Sequence, residues 1–393
     1  MRSHLQLSLA VATIGLLSVP LCLAPAQQAP DSRPQLLAAP RTPGDTTLAG
    51  KSIPDLLVAA RVPGLSLAII ENFQVVATAT YGTADVVSNR PVTTSTRFQA
   101  ASISKPVAAL AAMRLVQDRR VSLDENVNTY LRSWRVPDSE HTRTQPVTLR
   151  SLLSHTSGAD DGFGFPGYHP DSARPSAVQI IKGERPSNRG PVLFSRPPFA
   201  RFKYSGGGTT IVQLALTDLT GADFAEHLRT RVLEPLGMRE SSFEQPPPAR
   251  VHDQLARAHN FEGGPWPAIW NVYPELAAAG LWTTPSDLAR VVIEVQNALR
   301  GARTAFLTTA SAREMTTPVG VGPVAVGFFV AQVGEGWYFS HGGSNRGFRA
   351  HLEGHLRSGY GVVIMTNGDA GGRVIAEVRE RVARVYGWDS KLE

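Results

Sequence analysis

Strand-like runs lie at the two ends of this chain and helical runs lie between them, so any sheet must be assembled from segments far apart in sequence. Near the start, residues 65–70 and 74–81 are apolar and β-branched around Glu71-Asn72-Phe73, which predicts a hairpin. Near the end, residues 324–333, 337–341, 348–356 and 361–366 predict further strands, closed by a helix over 374–386. Helices are expected between: 105–120, a short one from Leu149, then 209–219 and 222–232. Two helix starts carry explicit signals. Ser52 caps a helix with Pro54 and Asp55 in its first turn, and Thr284-Pro285-Ser286-Asp287 opens another that runs over 288–299. Residues 157–202 are rich in Pro and Gly and lack a period. Such a stretch is a lid, a binding loop, an insertion, or irregular packing over a helical layer.

The 393 residues suffice for one large or two ordinary domains, and 42% hydrophobic with 18% charged is ordinary for a soluble globular chain. The net charge of +6 is spread out, with Arg119-Arg120 the longest basic run, so no stripe suited to nucleic acid exists. Residues 1–26 read as an export signal. Arg2 and His4 precede an apolar run over 5–19 that is too short to span a bilayer, and Ala24-Pro25-Ala26 supplies a small-x-small cleavage site. Bulky Leu21 before Cys22 disfavours lipid attachment. Cleavage after Ala26 would place the chain in the periplasm or outside the cell and remove its only cysteine, so any nucleophile is a hydroxyl. Residues 27–50 read as a flexible linker. Gly50-Lys51-Ser52 at its end is no phosphate loop, because five residues rather than four separate Gly44 from Gly50 and no strand precedes it.

The chemistry-bearing stretch is Phe98-Gln-Ala-Ala-Ser102-Ile-Ser-Lys105-Pro106. If a helix begins at or just after Ser102, a spacing of three puts Ser102 and Lys105 on one face, so the amine reaches the hydroxyl. The helix mouth also supplies a backbone N–H and a positive dipole end beside the serine oxygen, where a tetrahedral intermediate develops negative charge. Pro106 must lie in the first turn, which again places Ser102 at the mouth. Ser-x-x-Lys alone is weak. So are Tyr204-Ser205-Gly206, in a loop before a helix, and His341-Gly342-Gly343-Ser344, at the end of a strand.

In this order, the three motifs resemble the serine β-lactamase and DD-peptidase superfamily, specifically the class C β-lactamase-like branch that includes esterases and D-amino-acid peptidases. Supporting segments are Leu152-Leu-Ser-His155-Thr-Ser-Gly158, Glu234-Pro-Leu-Gly-Met238, residues 279–289 and Met365-Thr-Asn367. The resemblance implies an α/β (α+β) fold: an antiparallel sheet flanked by helices, built from both chain ends, with a mainly helical subdomain between. That gives one domain over 51–393, its α/β part at about 51–105 and 300–393 and its helical part at about 106–299. It makes Ser102 the nucleophile, Lys105 its partner, Tyr204 the catalytic tyrosine, and His341 the counterpart of a residue that is often lysine. Backbone N–H groups of Ser102 and Ser344, beside Gly343, would form the oxyanion hole. A lysine at its reference pKa is neutral in only about one molecule in 2,500 at pH 7, so service as a base requires burial or neighbouring positive charge. Lys105 and Tyr204 are both candidates for that role.

Two departures from the resemblance bear on substrate. Gly206 stands where an Asn amide usually holds an acylamino side chain, and His341 replaces a permanent cation that would meet a carboxylate. Arg346 is the residue expected to compensate by binding a carboxylate. The implied substrate is a small ester, amide or peptide rather than a β-lactam, with no cofactor or metal and with oligomeric state open. A β-lactamase proper, or a non-hydrolytic penicillin-binding sensor of the same fold, is the alternative. Two rivals are weaker. An α/β-hydrolase needs Gly-x-Ser-x-Gly, whereas Gly342-Gly-Ser-Asn-Arg346 ends in Arg, and His351 with His355 lacks the helical spacing of a metal pair.

Overall fold

The computed structural model describes Met1 and residues 33–161, 164–303 and 306–390; the export-signal reading, Cys22 included, lies outside the described residues except for Met1. The sheet is seven-stranded and antiparallel, in the order Arg90–Pro91, Gln74–Asp85, Gly64–Glu71, Gly361–Thr366, Phe348–His355, Gly336–Asn345, Phe329–Val333. Its central seam joins the two ends of the chain, with Leu65 opposite Thr366 and Ile70 opposite Gly361. Side chains alternate across the sheet, so Val362 and Ile364 enter one core while Val363 and Met365 enter the other. Both faces are covered. The strand Gly361–Thr366 is therefore buried along its whole length and apolar up to Thr366, as its sequence requires.

One face packs on the C-terminal helix Gly371–Val385 through Val374, Ile375, Val378 and Val382. The other packs on the helix Pro285–Leu299 and the helical region. The start of Pro285–Leu299 follows its sequence signal: the Thr284 side chain accepts the Asp287 N–H at 3.3 Å, and Pro285 occupies the first turn. Ser52 likewise caps Ile53–Ala60 by accepting the Asp55 N–H at 3.3 Å.

Residues 33–50, expected as part of a flexible linker, instead carry a short helix, Arg33–Ala38, and dock on the C-terminal helix. Leu37 is 1% exposed, and Arg41 grips Glu377 with two hydrogen bonds of 3.1 and 3.0 Å. A Pro- and Ala-rich composition hid this anchoring, because the partners lie at the far end of the chain. The stretch 157–202 holds the helix Ala177–Lys182 and a two-stranded ribbon pairing Ala159–Asp160 with Leu193–Phe194. Among the described residues, no helix is long and apolar enough to cross a membrane.

Candidate active site

Ser102 lies in a 3-10 turn, Ala101–Ile103, that runs directly into the helix Ser104–Gln117. Ala101 before it has φ of 50°, a left-handed conformation that a non-glycine residue adopts only when its surroundings enforce it. Those surroundings are visible. The Ser104 hydroxyl donates to Ala101 O at 2.6 Å and accepts the Leu281 N–H at 3.0 Å, tying the turn to the helical region. Pro106 is the third residue of the helix, within the first turn.

Lys105 is 4% exposed. Its Nζ lies 3.1 Å from Ser102 Oγ and donates at 2.8 Å to Ala278 O, at the end of the short helix Leu276–Ala279. Among the described residues no carboxylate forms an ion pair with it. Its ammonium stands 4.9 Å from the centroid of the Tyr204 ring. That ring is held between His155, centroids 4.3 Å apart, and Phe329, at 6.3 Å and nearly parallel.

The strand Gly336–Asn345 is flanked by Phe329–Val333 only as far as Ser340. From His341 to Asn345 it pairs on the other side alone, with Phe348–Leu352 in register, so its outer backbone edge faces the turn that holds Ser102. Gly343 makes that approach possible: a Cβ there would run into Ala100 O. Asn345 fastens the strand end, donating to Gln99 Oε1 at 2.8 Å and Ala279 O at 3.2 Å. Together Ser102, Tyr204, His341, Gly342, Gly343 and Ser344 line one open cleft of about 530 Å³, with Phe202 and Phe329 as its apolar wall.

His341 is 3% exposed and its Nδ1 lies 2.7 Å from Gly342 O, so Nδ1 carries the proton and Nε2 is left as a buried acceptor without a partner. Burial first, and the Lys105 charge second, hold its pKa down to about 3. The position therefore presents a neutral imidazole at pH 7. The partial positive charge that the reference pKa of histidine suggests is absent. His155, in a left-handed backbone conformation with φ of 57°, is likewise held neutral by burial, then by Lys105 and His341. Its Nδ1 accepts the Ser205 N–H at 3.2 Å, which fixes the ring against Tyr204. Asp161 accepts from the Ser205 hydroxyl and from the Gly207 N–H at 2.6 Å, while burial raises its pKa.

Two expected binding residues stand elsewhere. Arg346 is exposed, with its guanidinium 4.9 Å over the Trp266 ring, and does not line the cleft. It lies in the tight turn between two strands, where Gly347 has φ of 76° and strand alternation is reset. Arg349 and His351 line the cleft instead, from the strand Phe348–His355, each with a carboxylate behind it: Asp369 at 3.1 Å and Glu353 at 3.1 Å. Gly206 is the first residue of the helix Gly206–Thr220, buried beside the cleft rather than on its lining. His155, Asp161, Phe329, Arg349 and His351 were not singled out from sequence as site residues. For His155 alone a signal existed, in the segment quoted for the family resemblance.

His351 and His355 share a strand, but they engage Glu353 and Asp389 separately. Among the described residues no group of three His, Cys, Asp or Glu side chains is arranged to hold a metal ion.

The chain is similar to several known proteins. The chain is 28% identical over 292 residues to penicillin-binding protein 4 of Amycolatopsis lactamdurans, covering 70% of this chain and 74% of that protein. It is 22% identical over 233 residues to the teichoic acid D-alanine hydrolase of Staphylococcus aureus, covering 59% of this chain and only 54% of that one, about half its length. Among solved structures, the D-amino acid amidase of Ochrobactrum anthropi SV3 superposes with a TM-score of 0.67 at 23% identity, covering 85% of this chain and 96% of that one. A family model described as Beta-lactamase matches residues 50–386, and the chain belongs to that family, within the serine β-lactamase and DD-peptidase superfamily.

Proposed function

We propose that this protein is an exported serine hydrolase that cleaves small esters or amides through an acyl-enzyme on Ser102. The observation that carries the reading is the buried Lys105 amine, 3.1 Å from Ser102 Oγ and beside the Tyr204 ring at the floor of an open cleft. In the first step Ser102 Oγ bonds to the substrate carbonyl carbon and gives up its proton to the Lys105–Tyr204 pair. The negative charge on the carbonyl oxygen is met by the N–H groups of Ser102 and Ser344. Collapse of the intermediate breaks the bond to the leaving alcohol or amine, which takes the proton. Water then repeats the sequence on the acyl-enzyme and frees the acid.

The neutral His341 offers no fixed charge to a substrate carboxylate, and Gly206 offers no amide to an acylamino group. An unpaired polar group costs about 1–3 kcal/mol, enough to reorder substrates. A short-chain p-nitrophenyl ester should therefore have a higher kcat/KM than nitrocefin at neutral pH. A preference for nitrocefin would reverse this assignment. The likeness to a penicillin-binding protein favours one second reading, a protein that acylates and then stalls. A burst of p-nitrophenol without turnover identifies it, and steady turnover excludes it. Export by a leader cleaved after Ala26 is checked by the mass of the mature chain, which should begin at Gln27.

A further inference from the structure

We infer that Asn345 is a positioning residue for acylation: it pins the end of the strand bearing Ser344 to the segment that leads into Ser102, and so fixes the spacing of the two N–H groups assigned to the carbonyl oxygen; this rests on the acyl-enzyme reading above. The geometry of the strand aims the Ser344 N–H. Only Arg346 and Gly347 separate the paired residues Asn345 and Phe348, so those two exchange backbone hydrogen bonds. Ser344, one position earlier, therefore turns its N–H away from the neighbouring strand and toward the edge that packs on the turn holding Ser102.

Backbone pairing alone supports that edge poorly. Past Ser340 the strand Phe329–Val333 no longer flanks it, so among the described residues ladder bonds hold 341–345 from one side only. Side chains supply the missing support. Asn345 is buried, and its Nδ2 directs both protons away from its own hairpin, to Gln99 Oε1 at 2.8 Å and to Ala279 O at 3.2 Å. Gln99, also buried, is held in turn: its Nε2 donates to Asn271 O at 2.7 Å, and it pairs with Trp282 in a two-stranded ribbon. Ala279 follows Ala278, whose carbonyl takes the Lys105 Nζ, so adjacent carbonyls of one short helix seat both the amine and the strand that carries Ser344. At its other end Asn345 is fixed through its own carbonyl, which accepts from Arg349 Nη1 at 2.7 Å, with Asp369 behind that guanidinium. The amide pair thus joins a residue three before Ser102 to the residue after Ser344, and a shift at either end moves one N–H relative to the other.

Asn345→Leu keeps the bulk of the side chain and removes both donors. It should lower kcat/KM for p-nitrophenyl acetate by about 10²-fold per folded molecule, the size expected when an oxyanion donor is displaced. Phenylboronic acid reads the spacing apart from turnover. Its boron bonds to Ser102 Oγ, whose proton passes to the Lys105–Tyr204 pair, and becomes a tetrahedral anion like the intermediate. The Ki of this adduct should rise in proportion to the loss of kcat/KM, whereas a purely structural role lowers the folded fraction and leaves Ki as it was. Gln99→Met removes one of the two acceptors. It should cost about tenfold in both readings and add little to Asn345→Leu, because the two changes break the same contact. Where Asn345→Leu does not fold, Gln99→Met decides the matter alone. If the folded variants keep kcat/KM within twofold of wild type, the inference is overturned while the hydrolase reading stands. A fall in kcat/KM with an unchanged boronate Ki overturns it as well. Failure of the wild type to turn over the acetate overturns the hydrolase reading itself.

Discussion

Arg381 on one side of the sheet, and His341 and Glu275 on the other, are buried polar groups treated in opposite ways. On the face covered by the C-terminal helix, the Arg381 side chain is 1% exposed and each of its nitrogens is engaged: Nε with Glu377 at 2.9 Å, Nη1 with Ala39 O at 2.9 Å, Nη2 with Leu48 O at 3.1 Å and Lys51 O at 2.7 Å. On the cleft side, His341 Nε2 is buried without a partner, and so are both carboxylate oxygens of Glu275, a residue with no exposed surface. Buried polar groups are normally paired, and each exception calls for a reason. Arg381 ties residues 39–51 to the C-terminal helix. His341 and Glu275 stand on the side of the proposed active site, at a cost in stability carried by the rest of the fold.

On this contrast, substitutions on the two sides should separate activity from stability. The largest effect is expected at Ser102 and Lys105. Ser102→Ala, or Lys105→Met, which keeps the stem and removes the amine, should lower ester kcat/KM by about 10³-fold or more. Melting temperature should hold or rise, since each removes a polar group from the incompletely satisfied side. Activity kept within tenfold in both variants would break the comparison at its centre.

Arg381→Met should do the reverse. It removes a donor from three carbonyls, of which Leu48 O keeps the Lys51 N–H, and leaves Glu377 with Arg41 alone, a loss on the order of 3 kcal/mol for a broken buried pair. Denaturant midpoints should fall, with kcat/KM per folded molecule unchanged. Equal stability in this variant would mean that residues 33–51 contribute nothing to the fold.

This division also separates what could be read from the sequence. Ser102 and Lys105 could be paired because helical periodicity relates them over three residues, and the sheet could be expected because Gly64–Glu71 and Gly361–Thr366 are mostly apolar. The docking of residues 33–50 could not. It depends on carbonyls meeting an arginine more than three hundred positions away, with |i−j| of 342 for Ala39, and carbonyls carry no sequence signature. Arg346 misled for a related reason. Its spacing from His341 says nothing about a turn that sends it to Trp266 and gives the cleft to Arg349. The charge state of His341 follows from burial that only the packed structure defines.

A smaller effect is expected at Glu275. Burial lifts its pKa to about 7 from 4.5, and the nearby Arg189 charge offsets only part of this. The folded state therefore holds the proton more tightly than the unfolded chain between those values, and stability from this group falls as pH rises through that window. Glu275→Gln removes the ionisation. It should match wild type near pH 4 and exceed it by about 3 kcal/mol at pH 8, as a shift of that size implies. A gain independent of pH would show that the carboxyl is not the source of the cost.

The smallest effect is a slope, and it tests whether the unsatisfied side acts as one unit. His341 is shifted in the other direction, from 6.5 down to about 3. The unfolded chain then binds more protons than the folded one between those values, so stability from His341 is complete above pH 6.5 and is lost as pH falls toward 3. His155, also depressed, adds to the same slope. Between about pH 4.5 and 6.5 the histidines and Glu275 therefore oppose one another, and their sum in the wild type is shallower than either part. In Glu275→Gln the slope should steepen, stability rising faster with pH by up to about 1.4 kcal/mol per unit, the value for one proton. In His341→Gln it should change by a similar amount in the opposite direction. Chemical unfolding at half-unit intervals across this window measures both. Parallel curves for wild type and the two variants would mean that neither group titrates differently in the fold, and the contrast between the two faces would then reduce to packing alone.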